Sequence, residues 1–242
     1  MVLEEGGYAL ELYPTAYSIW YDIGENAESE DVTVFIDVPI GLTEDGGRRE
    51  CDTEAREKTA KPSSVFPPPT RDAAYEDTYP KAKSRNEKIT DGERSLGTQT
   101  WGIVPRIREV DEVLRNHEEA RDVFYESHPE VCFWALNGGE PIGHSKDDET
   151  GKRKREGILR GFESYPVEGI IDDFEKEYES RGSMVSVGRD DLYDAVALAL
   201  CASADEYEAL PGEKTDVKDV PMDNEGLPMR MVYARSESVL SV

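Results

Sequence analysis

The alternation of apolar and polar residues along the chain predicts strands that are separated by helices. Residues 7–13 alternate regularly and predict a strand that ends at Pro14. Residues 32–38 are mostly β-branched or aromatic and contain one charged residue, Asp37, so they predict a buried strand. Residues 122–127 predict another strand. Strands that alternate with helices are typical of an α/β domain, and no linker divides residues 1–242 into more than one domain.

Helices are predicted where apolar residues recur at intervals of three and four positions. The clearest helix covers residues 98–116, and Pro129 suits the first position of another helix that runs to residue 136. Further helices are predicted over residues 15–26 (capped by Thr15), 47–60, 72–88 (interrupted near Pro80), 152–163, 167–180 and 190–204. The proline-rich segment 61–71 is expected to be irregular, and residues 220–234 are expected to form a hairpin that turns at residues 224–226.

The net charge limits the classes of partner. The chain has 53 Asp and Glu against 28 Lys and Arg, which gives a formal charge of −25. Such a charge repels nucleic acid at low ionic strength, but molar salt reduces the Debye length to about 3 Å and screens the repulsion. The acids are spread along the whole chain, which favours a salt-adapted, halophile-type surface over a dedicated acidic interaction surface.

The sequence also indicates where the protein works. No apolar run approaches the ~18 residues of a membrane-spanning helix, so no membrane partner is expected. The first residues carry two acids where a signal peptide has basic residues, so we expect a cytoplasmic protein. Cys51, Cys132 and Cys201 are widely spaced, which argues against a disulfide framework or a zinc ribbon and favours buried thiols.

Carboxylates lie at the ends of two predicted strands. Asp37 stands near the carboxyl end of its strand, where open α/β sheets bind ligands, or it caps the turn at residues 39–41. Glu126 closes the next predicted strand and Glu130 opens the helix that follows, so both can face the same sheet edge. His128 stands between them as a candidate acid, base or metal ligand, or as a structural residue.

Three further acids begin the predicted helix 190–204. Asp190 is a candidate N-cap, and Asp191 and Asp194 are three residues apart, so they share a helix face. Capping and the helix dipole would explain all three acids. Together with the acids at the strand ends, they also suit a Mg²⁺ or Mn²⁺ site, because these cations prefer oxygen ligands and promote phosphodiester cleavage.

Positive charge is concentrated in Lys146 and in the run 152–155, which includes Arg153 and Arg155. These side chains either hold phosphate groups or form a solvated helix face. Motifs of other chemistries do not occur in the sequence: there is no GxGxxG after a strand, no Walker-type GK[ST], no GxSxG elbow and no HExxH. A nucleotide-binding P-loop, a serine hydrolase and a zinc protease are therefore not expected.

Seven segments carry a resemblance to a known family. They are FIDVPIGL (35–42), RRECDTEAR (48–56), SSVFPPPTR (63–71), TQTWGIVPRIREVD (98–111), ESHPEVCFWALNG (126–138), HSKDDETGKRKR (144–155) and DDLYDAVALAL (190–200). In this order they resemble the predicted nucleases catalogued as domain of unknown function 429. The resemblance covers about residues 7–204 and leaves residues 205–242 as a C-terminal extension.

The resemblance implies a ribonuclease H-like fold, in which helices flank a mixed central sheet and acids gather a divalent metal at one sheet edge. The implied catalytic metal ligands are Asp37, Glu126, Asp191 and Asp194, with Glu130 as a further ligand. The implied substrate-binding residues are Lys146, Arg153 and Arg155. We therefore expect a metal-dependent nuclease that binds nucleic acid in high salt. The alternatives are an inactive scaffold that binds nucleic acid or a protein, and a hydrolase of small phosphoesters.

The chain departs from the family pattern at its start. Members of this family normally begin with an apolar strand that contains an Asp-Gly pair, and that Asp is a central metal ligand in ribonuclease H-like folds. Here a short acidic lead passes directly into what resembles a later strand. The alternatives are a reading frame that begins further upstream, a fragment and a degenerate member of the family. We favour the first, and expect a longer version to be more stable and to bind Mg²⁺ more tightly.

Overall fold

The structure is a computed structural model that describes residues 1–4, 7–24, 32–181, 188–212 and 220–240. It is a mixed α/β protein, as the sequence predicts. The strands are β1 Val2–Glu4, β2 Gly7–Ala9, β3 Val34–Ile36, β4 Phe124–Glu126, β5 Glu208–Leu210 and β6 Met231–Tyr233. The α-helices are α1 Ala16–Ile19, α2 Glu50–Lys58, α3 Arg71–Ala74, α4 Tyr79–Ile89, α5 Thr98–Asn116, α6 Pro129–Leu136, α7 Glu149–Arg160, α8 Val167–Arg181, α9 Arg189–Ala202 and α10 Ser236–Leu240.

The described strands form three pairs. β1 and β2 are antiparallel, β3 and β4 are parallel, and β5 and β6 are antiparallel. β4 also contacts β6, which places a parallel pair beside an antiparallel pair. In the β3–β4 register Ile36 lies opposite Glu126, so the carboxyl ends of both strands meet at one edge. Asp37 and Ser127, the next residues of the two strands, therefore leave the sheet at the same edge.

Two helices have the bounds that their sequence pattern predicts. α5 covers residues 98–116 and buries Val104, Ile107 and Leu114, which recur at intervals of three and seven. α6 begins with Pro129 at its first position, and all its residues except the half-buried Glu130 are buried as far as Leu136. α6 packs against α9, and α9 packs against β3. This packing fixes α9 behind the sheet edge where Asp37 lies.

Other elements agree with the prediction only in part. The strand predicted over residues 7–13 is only β2. The interruption predicted in the helix over residues 72–88 is confirmed, since that stretch is divided into α3 and α4. The division lies before Tyr79, so Pro80 stands in the first turn of α4, where its missing amide hydrogen costs nothing. Thr15 caps α1 as predicted, because its Oγ1 accepts from Ser18 N at 3.1 Å. Residues 25–26 of that predicted helix lie outside the described residues.

The C-terminal residues belong to the core rather than to a peripheral extension. A bridge between Met222 and Pro228 closes the predicted turn, but β6 pairs with β5, which the sequence does not predict. Asp223 is buried, pairs with the guanidinium of Arg71 and accepts from Leu42 N at 2.9 Å. The tail is thus tied to the loop that follows β3.

Two expectations from composition can be compared with the structure. All three cysteines are free and buried, as predicted. Among the described residues, no helix combines the length and the apolar character that crossing a membrane requires.

Candidate active site

A cavity of about 600 Å³ lies at the carboxyl ends of β3 and β4. This volume is within the range of about 300–1,000 Å³ that is usual for small-molecule and cofactor sites. The loop after β3, the segment 60–66, the starts of α5 and α6, the loop 142–147 and α9 all contribute to its walls. Its charged and polar lining includes Asp37, Glu126, Ser127, His128, Glu130, Lys146, Arg155 and Asp194. Six of the eight predicted site residues therefore line one cavity.

Asp37 presents its carboxylate to this cavity. Asp37 follows β3 directly, and its side chain is exposed to the solvent that fills the cavity. The cavity itself is recessed between several segments of the protein. Burial raises the pKa of the Asp37 carboxyl above its ordinary value, and His128 and Lys146 partly oppose the rise. The alternative role as a turn cap is not what the structure describes, because Ile40 N donates to Glu126 instead.

Asp194 faces the same cavity from the second turn of α9. Lys146 Nζ donates to its Oδ2 at 3.0 Å. The other oxygen, Oδ1, is buried and accepts no hydrogen bond from the described residues. Burial raises the pKa of Asp194 to about 6, Lys146 opposes the rise, and the charges of Asp37 and Glu130 add to it. Oδ1 is therefore a buried acceptor that can accommodate a cation.

The two positively charged side chains that line the cavity near Asp194 and Glu130 are already paired with carboxylates. Lys146 lies 3.0 Å from Asp194 and 3.9 Å from Asp190. Burial lowers the pKa of Lys146, but the nearby carboxylates, above all Asp194, outweigh that effect and raise it. Arg155 is buried and its Nη2 donates to Glu130 Oε1 at 2.5 Å. The second pair fixes Glu130 at the start of α6.

His128 has a structural role that its sequence position does not reveal. It is the N-cap residue of α6, and its Nδ1 accepts from Glu130 N at 3.2 Å. Its Nε2 lies 3.4 Å from Ser64 O. His128 thereby connects the start of α6 to the segment 60–66, which also lines the cavity.

Glu126 is engaged in a buried ion-pair network. Its Oε2 accepts from Ile40 N at 2.7 Å, and its Oε1 pairs with Arg49. Arg49, which is 2% exposed, also donates to Asp52 Oδ1 at 2.9 Å and to Cys51 Sγ at 3.1 Å. The donor atoms of Cys51, Asp52 and Glu126 are close enough to hold a metal. A cation there would have to displace the Arg49 guanidinium, so this group is better explained as a structural arginine site.

Burial raises the pKa of the Glu126 carboxyl, and the Arg49 guanidinium opposes that rise most strongly. The arrangement joins the end of β4 to the start of α2 and to the turn after β3, 77 and 86 residues away along the chain. Glu126 therefore fixes the sheet edge on which Asp37 stands. Both of its oxygens are already occupied.

Two predicted site residues, Asp191 and Arg153, lie outside the cavity, and Asp190 does not have its predicted capping role. α9 begins at Arg189, so Asp190 is not its N-cap, and that position belongs to Gly188. Asp191 is exposed and its Oδ2 accepts from Gly188 N at 2.7 Å, which makes it a capping residue outside the cavity. Arg153 is exposed on α7 and does not line the cavity. Asp191 and Asp194 are three residues apart on α9, but only Asp194 lines the cavity. The carboxylate of Asp191 instead accepts from the backbone at the start of the helix.

Two of the remaining carboxylates could hold a cation. Asp37 and Asp194 line one cavity, the charge of Asp37 helps to raise the pKa of Asp194, and Asp194 Oδ1 has no donor among the described residues. Mg²⁺ is usually bound by one or two carboxylates and keeps several waters. The donor set therefore fits Mg²⁺ or Mn²⁺, with Glu130 within electrostatic reach of Asp194.

Sequence reasoning missed other residues of the cavity lining. Lys61, Phe66 and Gln99 also line the cavity. The signal that could have found Phe66 is its position directly before three prolines, which hold an aromatic residue on a stiff segment. Arg49 gave no signal, because it stands in a charged run that reads as solvent-exposed.

Comparison with known proteins gives one match. The model of the family described as "Protein of unknown function (DUF429)" matches residues 1–216. No curated protein matches the chain, and no solved structure matches it.

Proposed function

The chain belongs to the DUF429 family, whose description gives no function, and from its cavity we propose that it is a divalent-metal-dependent nuclease with a ribonuclease H-like fold. One observation carries the proposal: Asp37 and Asp194 line the same cavity, and Asp194 Oδ1 is buried without a hydrogen-bond partner among the described residues. Lys146 pairs with the other oxygen, Oδ2, but a buried acceptor such as Oδ1 is costly unless a bound cation or a donor satisfies it. The parallel β3–β4 pair supports the fold assignment, because it brings the acids to one sheet edge.

In the proposed reaction each cavity residue has a defined part. Mg²⁺ or Mn²⁺, when bound, supplies a Lewis acid that activates water and stabilises the leaving oxygen. Asp37 and Asp194 would hold the cation, and Glu130, fixed by Arg155, adds negative charge near Asp194. Lys146 is 42% exposed at its side chain, so its ammonium can bind a phosphate oxygen while it remains next to Asp194. Glu126 is a positioning residue and not a ligand.

The acidic surface determines the assay conditions. We propose that most of the 53 acids form a salt-adapted surface, since only a few of them line the cavity. At low ionic strength the charge of −25 repels a polyanionic substrate. Binding and cleavage of nucleic acid are therefore expected in molar KCl, where the repulsion is screened.

A cleavage assay tests the proposal. Labelled single- and double-stranded DNA and RNA are incubated with Mn²⁺ in molar KCl, with wild type, Asp37→Asn and Asp194→Asn. Because both substitutions remove a ligand, each should lower the cleavage rate by at least about 100-fold. Asp191→Asn is the matched control, since it changes a carboxylate in the first turn of the same helix but outside the cavity. Cleavage that survives Asp37→Asn and Asp194→Asn would refute the assignment.

One observation favours a second function, an inactive scaffold that binds nucleic acid or a protein. Lys146 already neutralises Asp194, and Arg155 already neutralises Glu130, so the negative charges of these two carboxylates are compensated without a metal. The same assay separates the two functions. Binding of nucleic acid without cleavage by wild type in Mn²⁺ would favour the scaffold, and cleavage of nucleotides but not polymers would favour a small-phosphoester hydrolase.

A further inference from the structure

Part of the cavity lining has a chemistry different from that of the carboxylates. Lys61, Phe66 and Gln99 belong to it, and we call these three residues the rim. Phe66 is 36% exposed, so part of its ring is open to a ligand in the cavity. Within the described part of the chain, Lys61 forms no ion pair and the Gln99 amide forms no hydrogen bond. The rim thus offers an aromatic face, an amide and a cation that the protein itself does not use.

The backbone holds Phe66 in a fixed position. Pro67 follows it, and a residue before proline is restricted to extended conformations. On the other side, Val65 is 2% exposed and its carbonyl accepts from Arg56 Nε at 3.1 Å and from Arg56 Nη2 at 2.8 Å. A ligand that packs on the ring therefore loses little chain entropy, since the ring is already ordered.

We propose that the rim binds the base of a nucleoside phosphate whose phosphoester lies at Asp37 and Asp194. This inference rests on the proposed function, and it names the residues that select the substrate. Bases stack on exposed aromatic rings, and a glutamine amide can hydrogen-bond a base edge through both its donor and its acceptor. Lys61 offers an unpaired positive charge to a neighbouring phosphate of the same strand.

The composition of the cavity favours this ligand over a simple phosphoester. The lining around Asp37 and Asp194 is acidic and polar, whereas Phe66 of the rim and the neighbouring lining residue Ile103 are apolar. A phosphoester without a ring would leave that surface in contact with water. A nucleoside phosphate instead places its charged group and its planar group against walls of matching chemistry, and the cavity of about 600 Å³ has room for one such unit.

Binding measurements test the rim independently of catalysis. Thymidine 5′-monophosphate and deoxyribose 5-phosphate are titrated calorimetrically into the full chain in molar KCl with Mg²⁺. Wild type should bind the thymidine compound at least about tenfold more tightly, because stacking on one aromatic ring contributes about that factor or more. Phe66→Ala and Phe66→Leu should abolish the difference and leave deoxyribose 5-phosphate unaffected, whereas Phe66→Trp should retain it.

Tyr21→Ala is the matched control, because Tyr21 is 56% exposed and lies outside the cavity lining. It should leave both affinities unchanged. Equal affinity of wild type for the two compounds, or a preference that persists in Phe66→Ala, would overturn the rim. Failure of both compounds to bind would overturn the rim and count against the proposed function as well.

A hydrolysis assay distinguishes failure of the rim proposal from failure of the proposed nuclease function. Thymidine 5′-(p-nitrophenyl phosphate) and methyl p-nitrophenyl phosphate are phosphodiesters with and without a base. Equal kcat/KM for the two would leave the proposed function in place and overturn the rim. A base preference in binding, without hydrolysis of either diester in Mn²⁺, would support the rim and contradict the nuclease.

Discussion

Replacing Asp194 by asparagine should stabilise the metal-free protein. Burial raises the pKa of Asp194 from 3.8 to about 6, so its ionised form is disfavoured in the folded state. A rise of about two units at 1.36 kcal/mol per unit corresponds to about 3 kcal/mol at neutral pH. Asparagine removes this cost and retains an oxygen that can accept from Lys146 Nζ. We expect a gain of about 1–3 kcal/mol in the free energy of unfolding at pH 7.

The pH dependence of the gain follows from the direction of the shift. The folded protein holds the Asp194 proton more tightly than the unfolded chain, so wild type loses stability as pH rises through the interval from about 4 to about 6. Below that interval the carboxyl is neutral in both states. The advantage of Asp194→Asn should therefore be small near pH 3.5, grow through the interval and level off above it.

Denaturant unfolding at several pH values measures this gain. The titrations are done in molar KCl with a chelator, because a bound cation would stabilise wild type and hide the effect. Asp191→Asn serves as the control, and it should change the free energy of unfolding by no more than about 1 kcal/mol, since an amide oxygen can still accept from Gly188 N. A loss of stability in Asp194→Asn at pH 7, or a gain that does not vary with pH, would refute the reasoning.

Three further substitutions have defined outcomes. Glu126→Ala should lower the free energy of unfolding by about 3–5 kcal/mol in denaturant titration, because it leaves Arg49 Nη2 and Ile40 N buried without this acceptor; an unchanged midpoint would contradict the structural role. Arg71→Met should destabilise by a similar amount, since Asp111 and Asp223 lose their cation; retained stability would argue against the docked tail. Lys146→Met should tighten Mn²⁺ binding severalfold in calorimetry, because the substitution removes a positive charge that competes with the metal for Asp194. Weaker binding would contradict this prediction.

The sequence predicts the helices of this protein better than its strands. α5 and α6 have the predicted bounds because their apolar periodicity is regular and Pro129 marks a start. β5 has three residues, too few to display alternation, and its partner β6 follows more than 20 residues later. Pairings of this kind depend on tertiary contacts that no local pattern records.

The candidate site shows the same division. Acids at strand ends and in an apolar helix pointed to Asp37 and Asp194, which do line the cavity. The same criterion also selected Asp191, because a capping acid and a cavity acid look alike in sequence. Glu126 was selected as a ligand although Arg49, 77 residues away, occupies its carboxylate. A partner this distant cannot be inferred from the composition of either segment.

Calorimetric titration of Mn²⁺ tests the central claim, that Asp37 and Asp194 together hold a catalytic cation. Wild type, Asp37→Asn, Asp194→Asn and the control Asp191→Asn are compared in molar KCl at pH 7.5, above the raised pKa of Asp194. We predict one site in wild type and in Asp191→Asn, and a loss of at least about tenfold in affinity in the other two. Undiminished binding by Asp37→Asn and Asp194→Asn would contradict the claim.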